Sequence, residues 1–305
     1  MDPEFAEFLA AMPPLQFADP AAQRELAAKV RTEWPLVPWP EGVARHDEEV
    51  AGIDGTPVPV RRYVPERAAD SAPAVLWMHG GGYCIGHLDE DEAFCARLAA
   101  NVGIEVVSVD YRLAPEHPYP AALDDCYSAL LKFSPGRSIV VAGLSAGAGL
   151  AAALAIRARD ENGPAICGQV ILTPFLDATM RGESLATLSE APVFNAADAR
   201  QCWQHYLGPL TGAPPALGSP SVAQDLSRLP AAYVLAAGAD CLRDEAVEYA
   251  LRLQWAGVPV ELHLAPAVPH AFTALQPGAA ISRRVRQEIE SVVTRLAGVE
   301  AGQTP

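Results

Sequence analysis

Polar and apolar residues alternate over 46–53 and again over 58–64, with Asp54-Gly55 between the two runs. Period-two patterning around an Asp-Gly turn predicts a hairpin, so the sheet opens with antiparallel strands. The period then changes. Runs at 74–79, 104–109, 138–142, 168–173 and 231–237 are apolar at successive positions, whereas 89–101, 120–132, the alanine-rich stretch from Ala146 and 244–256 have helical spacing. Strands without a polar face, alternating with helices, predict a parallel sheet covered on both sides. A further strand over 258–264 and a helix over 279–296 close the series, and Pro120 suits the first position of its helix.

Two segments fall outside this rhythm. Residues 3–30 read as two short helices split by Pro13-Pro14 and Pro20, followed by a proline-punctuated loop through Trp34, Pro35, Pro38, Trp39 and Pro40. Between 174 and 220 there are helical pieces, notably 196–207, but no strand pattern. The expected organisation is an α/β core over 46–174 and 221–305. Segments 1–45 and 175–220 are expected to meet as a lid over one edge of the sheet.

Half of the 305 residues are hydrophobic and 19% are charged, a mixture that suits a globular chain with a large core. Acidic residues outnumber basic ones 37 to 22, for a net charge of −15. Such a surface repels phosphate backbones and anionic lipid, so neither a nucleic-acid nor a membrane partner is expected. The six cysteines (Cys84, Cys95, Cys126, Cys167, Cys202, Cys241) form no C-x-x-C pair, which points to buried reduced thiols in a cytoplasmic protein rather than disulfides or a metal site. No basic residue precedes Arg24, and the apolar run 146–156 stops at Arg157, short of a bilayer span.

The chemistry concentrates at the ends of the predicted strands. Gly143-Leu144-Ser145-Ala146-Gly147 lies between a buried strand and a helix. A serine there sits on a sharp turn with its hydroxyl at a helix N-terminus, the setting of a nucleophile. His79-Gly80-Gly81-Gly82 follows another strand, and consecutive glycines let backbone N–H groups turn toward a developing oxyanion, joined by the N–H of Ala146. A serine hydroxyl needs a base, and the base needs an acid to fix its tautomer. In folds built this way the partners follow the serine in the order acid, then histidine. His270, in a loop after the strand 258–264, is the favoured base over the strand residue His263; His205, His46, His87 and His117 suit surface or loop positions. Asp240, just past the strand 231–237, is the favoured acid over Asp244 and Glu245, whose carboxylates suit the first turn of a helix.

Together these residues resemble the hormone-sensitive-lipase-like branch of the α/β-hydrolases, the bacterial family IV esterases. The likeness is carried by His79-Gly80-Gly81-Gly82-Tyr83, the run from Tyr111-Arg112-Leu113-Ala114-Pro115-Glu116 to Ala122, the serine turn, Ala239-Asp240-Cys241-Leu242-Arg243-Asp244-Glu245 and His270-Ala271-Phe272. It implies a mostly parallel sheet with helices on both faces, a helical cap, a catalytic triad Ser145–Asp240–His270 and an oxyanion hole from the N–H groups of Gly81, Gly82 and Ala146. Leu144, Ala148, Cys241 and Ala271 depart from the residues usual in that family, and none of them removes a triad member.

The reading is a serine carboxylesterase that forms an acyl-enzyme, needs no metal or organic cofactor and acts on small-molecule esters, the resemblance implying short to medium acyl chains. His79, Tyr83, Leu144, Phe194 and Trp203 are the expected pocket residues, with Trp34, Trp39 and Tyr206 as further aromatic candidates. Glu116 and His117 are read as braces of a rigid loop, and Cys84 and Cys241 as packing residues. An amidase or deacetylase of a specialised metabolite shares the same acyl-enzyme chemistry, and a hydrolase-like small-molecule binding protein is the reading from another class. The resemblance also favours a homodimer through edge-strand or helix contacts.

Overall fold

The computed structural model describes residues 1–12, 15–31, 37–66, 68, 71–209 and 212–299. The Pro13-Pro14 break and Trp34-Pro35 lie outside them. An eight-stranded sheet forms the centre: β1 (Val43–Ala51), β2 (Pro57–Pro65), β3 (Ala74–Met78), β4 (Glu105–Val109), β5 (Ile139–Leu144), β6 (Ile166–Leu172), β7 (Ala232–Ala237) and β8 (Val260–Ala265). The spatial order is β1-β2-β4-β3-β5-β6-β7-β8. The β1–β2 and β2–β4 pairs are antiparallel, and every later pair is parallel. All residues of β3, β5 and β7 are buried, because helices cover both faces there. The edge strand β8 instead leaves Glu261, Leu262 and Leu264 exposed.

The helices are α1 (Ala6–Ala11), α2 (Pro20–Arg31), α3 (Glu92–Val102), α4 (Ala121–Phe133), α5 (Ala146–Asp160), α6 (Glu183–Thr187), α7 (Ala196–Leu207), α8 (Arg243–Trp255), α9 (Phe272–Leu275) and α10 (Ala280–Ala297). Pro120 stands just before α4 rather than inside it. Helices α4, α5 and α8 cover one face of the sheet, and α3 and α10 cover the other. Helix α5 is buried along almost its whole length. Its run of alanine and glycine is what lets a helix approach the sheet this closely. Helix α10 buries Val285, Ile289, Val292 and Val293, a single stripe at helical spacing, and leaves Arg283, Arg284 and Arg295 in solvent.

The N-terminal segment and the chain between β6 and β7 meet above the carboxyl ends of the central strands. Phe17 packs edge-on against Phe194 at 5.4 Å, and the His205 ring lies 3.0 Å from the Phe17 carbonyl oxygen. Arg24 of α2 donates to the Cys84 carbonyl at 2.7 Å and forms an ion pair with Glu116, which ties α2 to the loops after β3 and β4. No described helix is long and apolar enough to cross a membrane.

Candidate active site

The site begins with the turn between β5 and α5. Ser145 has φ 56° and ψ −116°, a region that costs a non-glycine residue about 1–3 kcal/mol and persists only where its surroundings impose it. The imposition is visible in the hydrogen bonds. Ser145 N–H donates to the Leu172 carbonyl at 2.9 Å, and the N–H of Phe175 donates back to the Ser145 carbonyl at 3.1 Å. Close packing requires the following glycine, since a Cβ on Gly147 would stand 2.1 Å from the Met78 carbonyl oxygen.

The other two strand ends deliver the partners. The loop after β7 is tied to the loop after β8 by Gly238 N–H to the Ala265 carbonyl at 2.8 Å and Ala239 N–H to the Val268 carbonyl at 2.9 Å. This pairing brings Asp240 and His270 together across thirty residues of sequence. His270 Nδ1 lies 2.7 Å from Asp240 Oδ2, and His270 Nε2 lies 2.8 Å from Ser145 Oγ. Asp240 Oδ1 accepts from the Leu242 N–H at 2.9 Å, so both carboxylate oxygens are engaged. All three side chains are buried.

The glycine loop after β3 lies alongside. A Cβ on Gly80 would stand 3.6 Å from Ser145 Cβ. Among the described residues, the N–H groups of Gly81, Gly82 and Ala146 donate to no protein acceptor. His79 braces this loop: its Nδ1 donates to the Gly80 carbonyl at 2.7 Å, its ring stacks on Tyr111 at 4.2 Å, and the Tyr111 hydroxyl donates to the His79 carbonyl at 2.8 Å. Burial pushes His79 below the ordinary histidine range and raises the neighbouring Asp91, whose Oδ2 accepts from Trp77 Nε1 at 2.8 Å.

An aromatic wall surrounds the serine and the glycine loop. Tyr83 stacks on Tyr206 with centroids 3.9 Å apart, and its hydroxyl donates to the Phe175 carbonyl at 2.7 Å. Phe175 packs against Trp203 at 4.2 Å and Phe194 at 5.4 Å, and Phe194 in turn stacks on His270 at 5.3 Å. Tyr83, Phe194 and Trp203 therefore stand together, as does Tyr206. Leu144 belongs to the core cluster that also holds Leu172 and Val170, and its Cδ2 would stand 3.7 Å from a Cβ on Gly80 of the glycine loop. Trp39 does not join the wall: it is 41% exposed, and its Nε1 donates to the Val43 carbonyl. A tryptophan in a proline-rich loop can pack on the nearest strands, and here its ring meets Tyr63 of β2 at 6.1 Å. Trp34 is outside the described residues.

Sequence reasoning missed Phe17, Phe175 and Cys202. Phe17 is an isolated aromatic in a loop and Phe175 follows a proline after β6, so neither belongs to a periodic pattern. Cys202 lies on α7, where its Sγ would stand 2.4 Å from a Cβ on Gly82. Among the described residues, no group of three or more His, Cys, Asp or Glu side chains could hold a metal ion.

The profile of a family described as having the α/β-hydrolase fold matches residues 75–274, about two-thirds of the chain. The chain belongs to the α/β-hydrolases. Within them it falls in the hormone-sensitive-lipase-like branch. It is 41% identical over 236 residues to the esterase LipI of Mycobacterium tuberculosis, covering 72% of this chain and 73% of that protein. It is 39% identical over 248 residues to the carboxylesterase NlhH of the same species, covering 75% of each. A bacterial heroin esterase superposes with a TM-score of 0.91 at 35% identity, covering 97% of this chain and 98% of that one. A hyperthermophilic esterase from Pyrobaculum calidifontis gives a TM-score of 0.82 at 31% identity over 97% and 99% of the two chains. This α/β-hydrolase is an enzyme of the ester-hydrolase class.

Proposed function

We propose that this α/β-hydrolase cleaves carboxylic esters of small molecules through an acyl-enzyme on Ser145, with His270 as base and Asp240 as the acid that orients it. One observation carries the reading: a single imidazole spans Asp240 Oδ2 and Ser145 Oγ, at 2.7 and 2.8 Å, in a constellation assembled from three loops. His270 takes the hydroxyl proton as Oγ bonds to the ester carbonyl carbon. The negative charge gathered on the carbonyl oxygen falls to the N–H groups of Gly81, Gly82 and Ala146, such donors being worth about 10²–10³ in kcat each. As the intermediate collapses, the bond to the alcohol oxygen breaks and that oxygen receives the proton held on His270. Water then repeats the sequence, giving its proton to His270 and releasing the acid.

Segments 1–45 and 175–220 act as the cap over the core of 46–174 and 221–305. The ring contacts of Phe17, Phe194, Trp203 and Tyr206 support this, and the density of that wall favours short to medium acyl chains over long ones. The cysteines, all free, support a cytoplasmic setting, and the exposed Leu262 and Leu264 on edge strand β8 support a homodimer. The test is reaction with a fluorophosphonate, mapped by mass spectrometry, beside a p-nitrophenyl ester series from acetyl to palmitoyl. One label per chain on Ser145, with turnover greatest at short to medium chains, is the expected result. An unlabelled Ser145 with no ester turnover overturns the mechanism, and a maximum at palmitoyl overturns the chain-length preference.

A further inference from the structure

Two carboxylates occupy the first turn of α8, where any acidic residue complements the helix dipole. Asp244 behaves in that way, accepting from the Ser184 N–H at 2.7 Å and pairing with Arg243. Glu245 does not. Its side chain is buried, with Oε1 accepting the N–H of Leu176 at 2.5 Å and of Asp177 at 3.3 Å. Its Oε2 is buried without a hydrogen-bond partner among the described residues. Burying an unsatisfied polar atom costs about 1–3 kcal/mol, so the dipole alone does not account for this placement.

The chain that Glu245 grips is the one leaving β6, and it touches the serine turn and the residue after the oxyanion glycines. The Leu172 carbonyl accepts from Ser145 N–H, and Phe175 N–H donates to the Ser145 carbonyl, at 2.9 and 3.1 Å. The Phe175 carbonyl accepts the hydroxyl of Tyr83, which follows the oxyanion glycines. Between these contacts Thr173 takes φ 37°, a value that a β-branched residue holds only when its neighbours force it. Glu245 itself stands five residues after Asp240, in the helix that follows the acid's loop.

We propose that Glu245 is a positioning residue for the Ser145–His270–Asp240 relay, fixing the acid-bearing loop to the serine turn through the N–H groups of residues 176 and 177. The inference rests on the catalytic reading given above. Burial pushes the Glu245 carboxyl well above the ordinary carboxylate range, and the nearby Asp177 and Asp240 push it the same way. Both N–H groups converge on Oε1, so a single carboxyl oxygen does the holding. An amide at the same place presents an equivalent oxygen, whereas a shorter acid or an alkyl chain does not.

The experiment compares wild type with E245Q, E245D and E245L. Active sites are counted by fluorophosphonate uptake, kcat per site and KM are measured with p-nitrophenyl butyrate, and Tm is recorded for each variant. E245Q keeps kcat per site within about threefold of wild type, while E245D and E245L lose about tenfold or more with KM within about twofold. A brace that serves only the fold would lower Tm and leave kcat per counted site unchanged in E245D and E245L, which overturns the proposal. E245Q falling as far as E245L overturns it too. If E245L fails to fold, E245D carries the test, since it keeps the carboxyl and withdraws it by one methylene. Wild type that takes no label at Ser145 removes the catalytic reading itself, whereas labelled wild type with unaffected variants removes Glu245 alone.

Discussion

Phe194 stacks on His270, with ring centroids 5.3 Å apart and planes inclined by 29°. The contact joins a residue of the chain between β6 and β7 to the imidazole that spans Asp240 and Ser145. Its geometry is set locally. Phe194 stands immediately before Asn195, whose side chain accepts the N–H groups of Ala197 and Asp198 while Asp198 returns a bond to the Asn195 N–H. That reciprocal cap fixes the angle at which the chain enters α7, and with it the placement of the ring. The Phe194 carbonyl also receives Cys241 Sγ at 3.4 Å, one residue from the acid.

Phe194→Ala should therefore change selectivity more than it changes fold. Truncating a buried phenylalanine costs about 3–5 kcal/mol, against a usual stability of about 5–15 kcal/mol, so most of the protein stays native. The space vacated lies beside the imidazole and behind Phe17 and Phe175. The chain-length optimum moves toward longer acyl esters and KM for acetyl esters rises. A p-nitrophenyl acyl series measured on both proteins checks this, and an unchanged optimum would remove Phe194 from the substrate pocket.

Ser145→Ala should abolish turnover without unfolding the chain. The substitution removes one oxygen, yet alanine must hold the same φ of 56°, so a modest loss in Tm accompanies it. Loss of the nucleophile lowers kcat by roughly three to six orders of magnitude, since the remaining groups act as a unit around it. Asp240→Asn leaves the ring in place but removes the acceptor that selects its tautomer, with an expected drop of about 10⁴. Rates within tenfold of wild type in either variant would contradict the assigned roles.

The sheet was legible because burial on two faces leaves a plain signature. Runs such as 231–237 contain no charge at all, and the switch from period two to continuous apolar runs marks the change from antiparallel to parallel pairing. Ser145, His270 and Asp240 were legible as candidates because each lies just beyond a strand, where a polar residue has no packing reason to be. The wall around them was not. Phe17, Phe175 and Cys202 meet through loops whose paths depend on tertiary contacts, and no periodicity records that. Helices α6 and α9 are five and four residues long, too short to show a helical period. Glu245 drew notice only as a rival acid, because burial cannot be read from a charged residue in a helix's first turn.

Gly82→Ala should lower kcat by about 10²–10³, the cost of misplacing an oxyanion donor. The added Cβ would stand 2.4 Å from Cys202 Sγ and 3.2 Å from Phe17 Cε1, at a φ of 60°. The loop must retreat from α7, which carries its N–H groups out of register with Ser145. Because the nearer obstacle is a single sulfur, Gly82→Ala combined with Cys202→Ala should recover part of the loss. Additive losses in the double variant would show that backbone strain at residue 82, and not the clash with α7, sets the cost.

The last expectation concerns pH and stability. Folding raises the affinity of Glu245 for its proton, because burial penalises the charged form. The native state then binds more protons than the unfolded state between the ordinary carboxylate value and the raised one, and stability falls as pH rises through that interval. Below the ordinary value both states hold the proton and the contribution of this group is fully present. Glu245→Gln has no proton to lose, so its Tm should fall less than that of wild type as the pH rises above the ordinary carboxylate range. Thermal denaturation of both proteins across that rise in pH is the measurement. Parallel curves would show that folding leaves the proton affinity of Glu245 unchanged and would contradict this expectation.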